Sequence, residues 1–171
     1  MNVKQKLENL IEKGMTQEEA FLFFDELETV NLEALIGYKW KGKEAPSNHP
    51  LDGGLSLSHW YGKEFISPEE VHPLIFERAN GDLFNVDPAI VFGIRERTEE
   101  FLNSAETTES KARLRMTEYR GKISATMIYD QLPVNDIFRK VDENTLFGVM
   151  DFKGSMHHLG YFFVLERTQI K

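Results

Sequence analysis

The sequence predicts an α+β chain, mainly antiparallel β, that closes as a barrel or a strongly curved sheet behind N-terminal helices. Three observations carry this prediction. Apolar residues recur at helical spacing to about position 28, alternation switches to a period of two near Ile36, and the second half is a run of short strands broken by turn residues. Of 171 residues, 41% are apolar and 12% aromatic, with 13 Phe, which is material for one sizeable core and short for two. A single structural unit over residues 1–171 is expected.

Leu7, Leu10 and Ile11 mark a first helix, and Thr16 with Glu19 forms a capping box that opens a second helix running to about Glu28. Ala20, Phe23, Phe24 and Leu27 give that helix an apolar stripe suited to a core. From Ile36, the side chains of Ile36, Tyr38 and Trp40 fall on one side of a strand, and Lys39, Lys41 and Lys43 fall on the other. Trp40 is therefore expected to be buried, with Arg167 of the last strand near its ring. The segment from His49 to Tyr61 reads as a loop followed by a short helix carrying Leu55, Leu57, Trp60 and Tyr61. Ser67-Pro68-Glu69-Glu70 reads as another helix start.

Asn80-Gly81, between Leu74-Ile75-Phe76 and Leu83-Phe84-Asn85-Val86, predicts a hairpin because Asn-Gly accepts positive φ. The polar connector from Thr98 to Lys111 contains Phe101 and Leu102, which predict a docked helix rather than a loose linker. Strands are then expected at 113–119, 123–129, 134–141, 145–152 and 161–167, with reversals at Arg120-Gly121-Lys122, Asp142-Glu143-Asn144 and Gly154 to Gly160. Roughly eight strands suffice to close a small barrel around a cavity.

The 20 basic and 28 acidic residues leave a net charge of −8, which disfavours nucleic-acid binding. Arg113, Arg115 and Arg120 read first as solvated strand residues and second as a small anion-binding cluster. The absence of cysteine excludes disulfides, thiolate metal sites and cysteine nucleophiles. The charged N-terminal segment is unlike a signal core, and no stretch of about 18 apolar residues occurs, so a cytoplasmic protein without a membrane partner is expected.

Residues 36–42 (Ile-Gly-Tyr-Lys-Trp-Lys-Gly), His49-Pro50-Leu51-Asp52-Gly53, Trp60-Tyr61-Gly62-Lys63 and Val71-His72-Pro73-Leu74 together resemble the bacterial GXWXG family over residues 33–92. Tyr38 stands where that motif has its first Gly, and Gly37 lies one residue earlier. Residues 113–167 are similar to the domain of unknown function that accompanies it, through Glu118-Tyr119-Arg120-Gly121, residues 124–130, Pro133, Asp136, Phe138-Arg139 and residues 148–151. The resemblance implies no established chemistry. By fold analogy, lipocalin-like barrels and nitrobindin-type haem barrels are also similar, which raises the expectation of a small-ligand cavity.

The candidate site residues are Trp40, His49, Asp52, Trp60, Tyr129, Asp130 and Arg139. Trp40 reads first as a plug at the barrel base, and Trp60 as either a cavity cap or core filling. His49 and Asp52 pair a titratable ring with a carboxylate on a loop, although Asp52 also suits a helix cap and His49 a turn. Tyr129, Asp130, Asp136 and Arg139 concentrate polar groups around one strand-turn-strand, where Arg139 is expected to bond Asp130 or Asp136, or to orient a ligand head group. No metal is expected: His157 and His158 would point to opposite sides of an extended segment, and no P-loop, dinucleotide fingerprint, nucleophile elbow or HExxH motif names a cofactor. The leading expectation is a noncatalytic binder of a small apolar or amphipathic molecule. An enzyme using His49, Asp52, Tyr129 or Asp130 ranks second, and a haem protein third.

Overall fold

The computed structural model describes residues 1–154, 156 and 158–168. Two helices lead, α1 (Val3–Lys13) and α2 (Gln17–Glu26), each opened by a capping box, Asn2 with Gln5 and Thr16 with Glu19. Ten strands follow: β1 (Glu28–Thr29), β2 (Tyr38–Glu44), β3 (Trp60–Phe65), β4 (Val71–Glu77), β5 (Leu83–Asn85), β6 (Ala112–Tyr119), β7 (Lys122–Tyr129), β8 (Val134–Asp142), β9 (Thr145–Phe152) and β10 (Tyr161–Arg167). Among the described residues, three short α-helices lie between them, α3 (Gly54–Leu57), α4 (Pro88–Val91) and α5 (Glu99–Ser104), together with a 3-10 turn at Leu32–Ala34. Leu102 of α5 is buried, so the polar connector does contain a docked helix.

Eight strands form an antiparallel ring in the order β8-β7-β6-β4-β3-β2-β10-β9, closed by the β8–β9 pairing, while β1 and β5 add to β8 and β4. The ring is not a regular barrel. β4 and β6 share a single bridge, Val71 to Ala112, supplemented by the Leu114 N–H on the Pro68 carbonyl at 2.8 Å. Alternation separates two apolar clusters. Inward residues, among them Trp40, Phe65, Phe138 and Phe163, fill the ring, with Phe138 edge-on to Phe65 at 5.6 Å and to Phe163 at 6.2 Å. Outward residues such as Ile137, Phe147 and Phe162 meet Leu7, Phe23 and Phe24 of the two helices.

One expected helix is shorter than predicted and another is absent. Trp60 and Tyr61 begin β3 instead of ending a helix, because α3 stops at Leu57 and His59 reverses the chain at φ 59°. Ser67 to Glu70 is a tight reversal in which the Glu70 N–H bonds Ser67 Oγ at 3.0 Å. Val71 pairs directly with Phe65, leaving no room for a helical turn. The hairpin around Asn80-Gly81 forms as expected, closed by the Arg78 N–H on the Asp82 carbonyl at 2.9 Å. β9 and β10 have the predicted limits.

Candidate functional site

At the end of the ring where β10 begins, side chains from four strands converge under two covering segments. Leu74 (β4), Tyr129 (β7), Met150 (β9) and Tyr161 (β10) form the floor and walls of a cavity of about 80 Å³. Leu51 and Leu55 cover it from one side, and Pro88 to Arg97 cover it from the other. Asp87 positions the second cover by capping α4 through the Ala89 N–H at 2.9 Å, and Arg95 ties the two covers together by donating to the Pro50 carbonyl at 3.1 Å.

Polar groups reach this apolar space at a few points. Tyr161 presents a buried hydroxyl that has no hydrogen bond of normal geometry. Burial raises its pKa, and the nearby Glu44 carboxylate raises it further. Glu44 is committed to the backbone, accepting the Gly53 N–H at 2.8 Å and the Ser56 N–H at 2.6 Å. Burial pushes its pKa up, but these bonds and Tyr161 outweigh that and leave it lowered. Arg97 is half-buried, its Nε donating to the Ile94 carbonyl at 2.6 Å. Burial depresses its pKa, against the opposing effect of Tyr161, Tyr129 and Glu44.

Beneath Tyr129 lies a buried ion pair, Lys63 to Asp136 at 2.9 Å, with both side chains almost fully enclosed. Lys63 also donates to the Pro73 carbonyl at 3.1 Å, and its Nζ lies over the rings of Trp60, Tyr129 and Phe163 at 5.6, 5.8 and 5.2 Å. Burial raises the Asp136 pKa, although Lys63 and Tyr129 pull it down. Tyr129 is raised well above its usual value, first by burial and then by Asp136. The pair anchors the polar side of Tyr129 from behind.

The structure brings some of the expected residues to the cavity and places others elsewhere. Tyr129 lines it. His49 stands behind Tyr161, ring edge to ring at 5.5 Å, with Nδ1 accepting the Leu51 N–H at 3.0 Å. Asp52 is a backbone anchor, its Oδ2 accepting the Ser47 and His49 N–H groups at 3.0 and 2.9 Å. Trp60 is core, its indole N–H on the Gly62 carbonyl at 3.1 Å and its ring edge-on to Phe163 at 6.0 Å.

Trp40 is buried at the opposite end of the ring, opposite Arg167 in register, and its indole N–H bonds the Leu35 carbonyl at 3.1 Å. It closes that end of the ring as a plug and does not line the cavity beside Tyr129 and Tyr161. The Arg167 guanidinium covers Tyr38 at 4.5 Å instead of Trp40 and is held by Asn144. Asp130 is exposed, on the face opposite Tyr129. Arg139 is also outside the ring: it is enclosed under α2, over the Phe24 ring at 4.5 Å and donating to the Tyr119 carbonyl at 3.0 Å. It bonds neither Asp130 nor Asp136, because three residues along a strand is an odd step and turns Arg139 away from Asp136. His157 lies outside the described residues.

Sequence reasoning missed Lys63 and Arg97. Lys63 sits in an aromatic-rich strand and reads as solvent-facing, while Arg97 sits at the edge of a polar connector where charge is unremarkable. The pairing of Trp60 with Lys63 inside the ring depends on the register shifts around Gly62.

The glycines of the motif region have a direct physical role. A Cβ on Gly42 would sit 2.3 Å from the Trp60 ring, and a Cβ on Gly62 would sit 1.8 Å from the Trp40 carbonyl oxygen. Family profiles match over this core and beyond it, "GXWXG protein" over residues 22–81 and "Domain of unknown function (DUF4334)" over residues 110–167. No curated protein matches the chain. Among solved structures, a protein from Thermomonospora curvata is 29% identical, with a TM-score of 0.74 over 99% of this chain and 100% of that one. Residues 22–81 thus match the GXWXG family, and the matched domain of unknown function over residues 110–167 supplies the strands that complete the ring.

Proposed function

We propose that the protein is a noncatalytic binder of a small apolar or amphipathic molecule, held in the cavity between Leu74, Met150, Tyr129 and Tyr161. The observation that carries this reading is the combination of an apolar enclosure with a few converging polar groups, the usual composition of a small-ligand site. The cover of two loop segments joined by one hydrogen bond supplies a way in, because neither segment belongs to the strand ring. No helix among the described residues is long and apolar enough to cross a membrane, which fits a lipocalin-like protein working in the bacterial cytoplasm.

Haem fits this site poorly. The cavity is about 80 Å³, and no histidine is among its described lining residues. Catalysis through His49 and Asp52 also has little support, since the Asp52 Oδ2 and His49 Nδ1 are both occupied by backbone N–H groups.

Native mass spectrometry of gently purified protein tests the proposal. The expected result is a small bound mass that disappears in Leu74→Phe, a substitution that fills the cavity from β4. A protein that carries no added mass and takes up no hydrophobic probe would refute it.

A further inference from the structure

Resting on that reading, we propose that the ligand is a small monocarboxylate, its carboxylate held by the Arg97 guanidinium with the Tyr161 hydroxyl beside it and its short apolar body between Leu74, Val91 and Met150. The argument begins with what the charges around the cavity already do. Lys63 is paired with Asp136 through Oδ2, while the second Asp136 oxygen is enclosed without a hydrogen bond of normal geometry, so neither group offers a free positive charge. Glu44 and Asp52 are bound to backbone N–H groups, and Arg95 is bound to the Pro50 carbonyl.

Arg97 differs from these. Only its Nε has a hydrogen-bond partner among the described residues, and no carboxylate lies within ion-pair distance of it there. The Arg97 terminal nitrogens are not among the enclosed polar atoms, so they are open at the cavity wall that Arg97 itself lines, and a partly buried cation is stabilised where a carboxylate meets it. The depressed Arg97 pKa has this partial burial as its cause. Tyr161 adds, on the same cavity, an enclosed hydroxyl that lies near Glu44 without a hydrogen bond of normal geometry.

The charge and size of the ligand follow. One planar guanidinium fork matches the two oxygens of a carboxylate. A dianionic phosphate would bring a second charge towards Glu44 and Asp52 without a second uncommitted cation. At about 80 Å³ the enclosed space is smaller than the roughly 150 Å³ cavity that admits benzene, so the apolar body is a few carbons long.

The test is calorimetric titration of the full chain with butanoate, and with butanamide as the uncharged isostere. Butanoate is expected to bind at least about tenfold more tightly than butanamide, the advantage of a charge-assisted bond. Arg97→Gln should abolish that preference. Arg97→Lys should keep part of it, which separates loss of charge from disturbance of the loop, and Tyr161→Phe should weaken butanoate more than butanamide.

Equal affinities for the two probes, or a preference that survives Arg97→Gln, would overturn the carboxylate assignment and leave the cavity reading intact. If neither probe binds and native mass spectrometry finds no bound molecule, both fall.

Discussion

His49 is enclosed among the Leu51 backbone, Asp52 and Tyr161, and because its Nδ1 accepts a hydrogen bond, the neutral ring with the proton on Nε2 is the form that fits. Burial lowers its pKa, and the Asp52 carboxylate only partly offsets this. With the folded value below the unfolded one of about 6.5, the unfolded chain binds the proton more readily. The contribution to stability is therefore complete above the unfolded pKa and is lost as pH falls through the folded one. Thermal unfolding midpoints should drop between pH 7.5 and pH 5.5, and His49→Gln, whose side-chain oxygen can still accept the Leu51 N–H, should flatten that slope. An equal slope in the variant would show that His49 is not the titrating group. The Lys63–Asp136 pair follows a different logic: a buried pair adds little net stability, but removing one partner strands the other charge. Its place beneath Tyr129 suggests that it fixes that ring in the cavity wall.

At the scale of elements, the junction of β2 and β3 is the most tightly constrained part of the fold. Trp40 pairs with Lys63 and Lys41 with Gly62, and the irregular β3–β4 register around Gly62 lets Trp60 and Lys63 both face the interior. Gly62 has φ 155°, and any side chain there meets the Trp40 carbonyl. Gly62→Ala should lower stability by more than about 3 kcal/mol, since overpacking and an incompatible backbone conformation act together. Urea denaturation would measure it, and a variant within about 1 kcal/mol of the native chain would mean that β2 and β3 can separate without cost. The helices α1 and α2 cover the outer face of β8, β9 and β10, which is why Arg139 is enclosed although it points away from the ring.

For the whole molecule, closure is uneven. β8 and β9 pair along nearly their full lengths, whereas β4 and β6 meet at one bridge. Along β6, Leu114 directs its N–H across this seam, so Met116 and Glu118, on the same side, direct theirs to an edge with no partner strand. Hydrogen exchange should be fast at the amides of Met116 and Glu118 and slow at Arg115 and Thr117, which face β7. Uniform protection along β6 would indicate a closed seam. The cavity lies where the strands spread and two loops close the end, so the opening of those loops does not require the ring to break.

Much of this was legible in the sequence. Period-two alternation around Trp40 places the indole inside, the capping box at Thr16 and Glu19 places α2, and the turn residues from Arg120 onward set the hairpins of the second half. These features depend on neighbours a few residues apart. The same alternation, applied strictly, also separates Tyr129 from Asp130 and Asp136 from Arg139, so two of the four grouped polar residues could have been set aside. Tertiary structure alone decided the rest. Lys63 meets Asp136 across the ring only because of the irregular register at Gly62, and Arg97 reaches Tyr129 and Tyr161 only because a loop folds over the barrel end. Both contacts join segments far apart in the chain, and the favourable pairing of a buried charge becomes visible only once packing has removed the water that would otherwise solvate it.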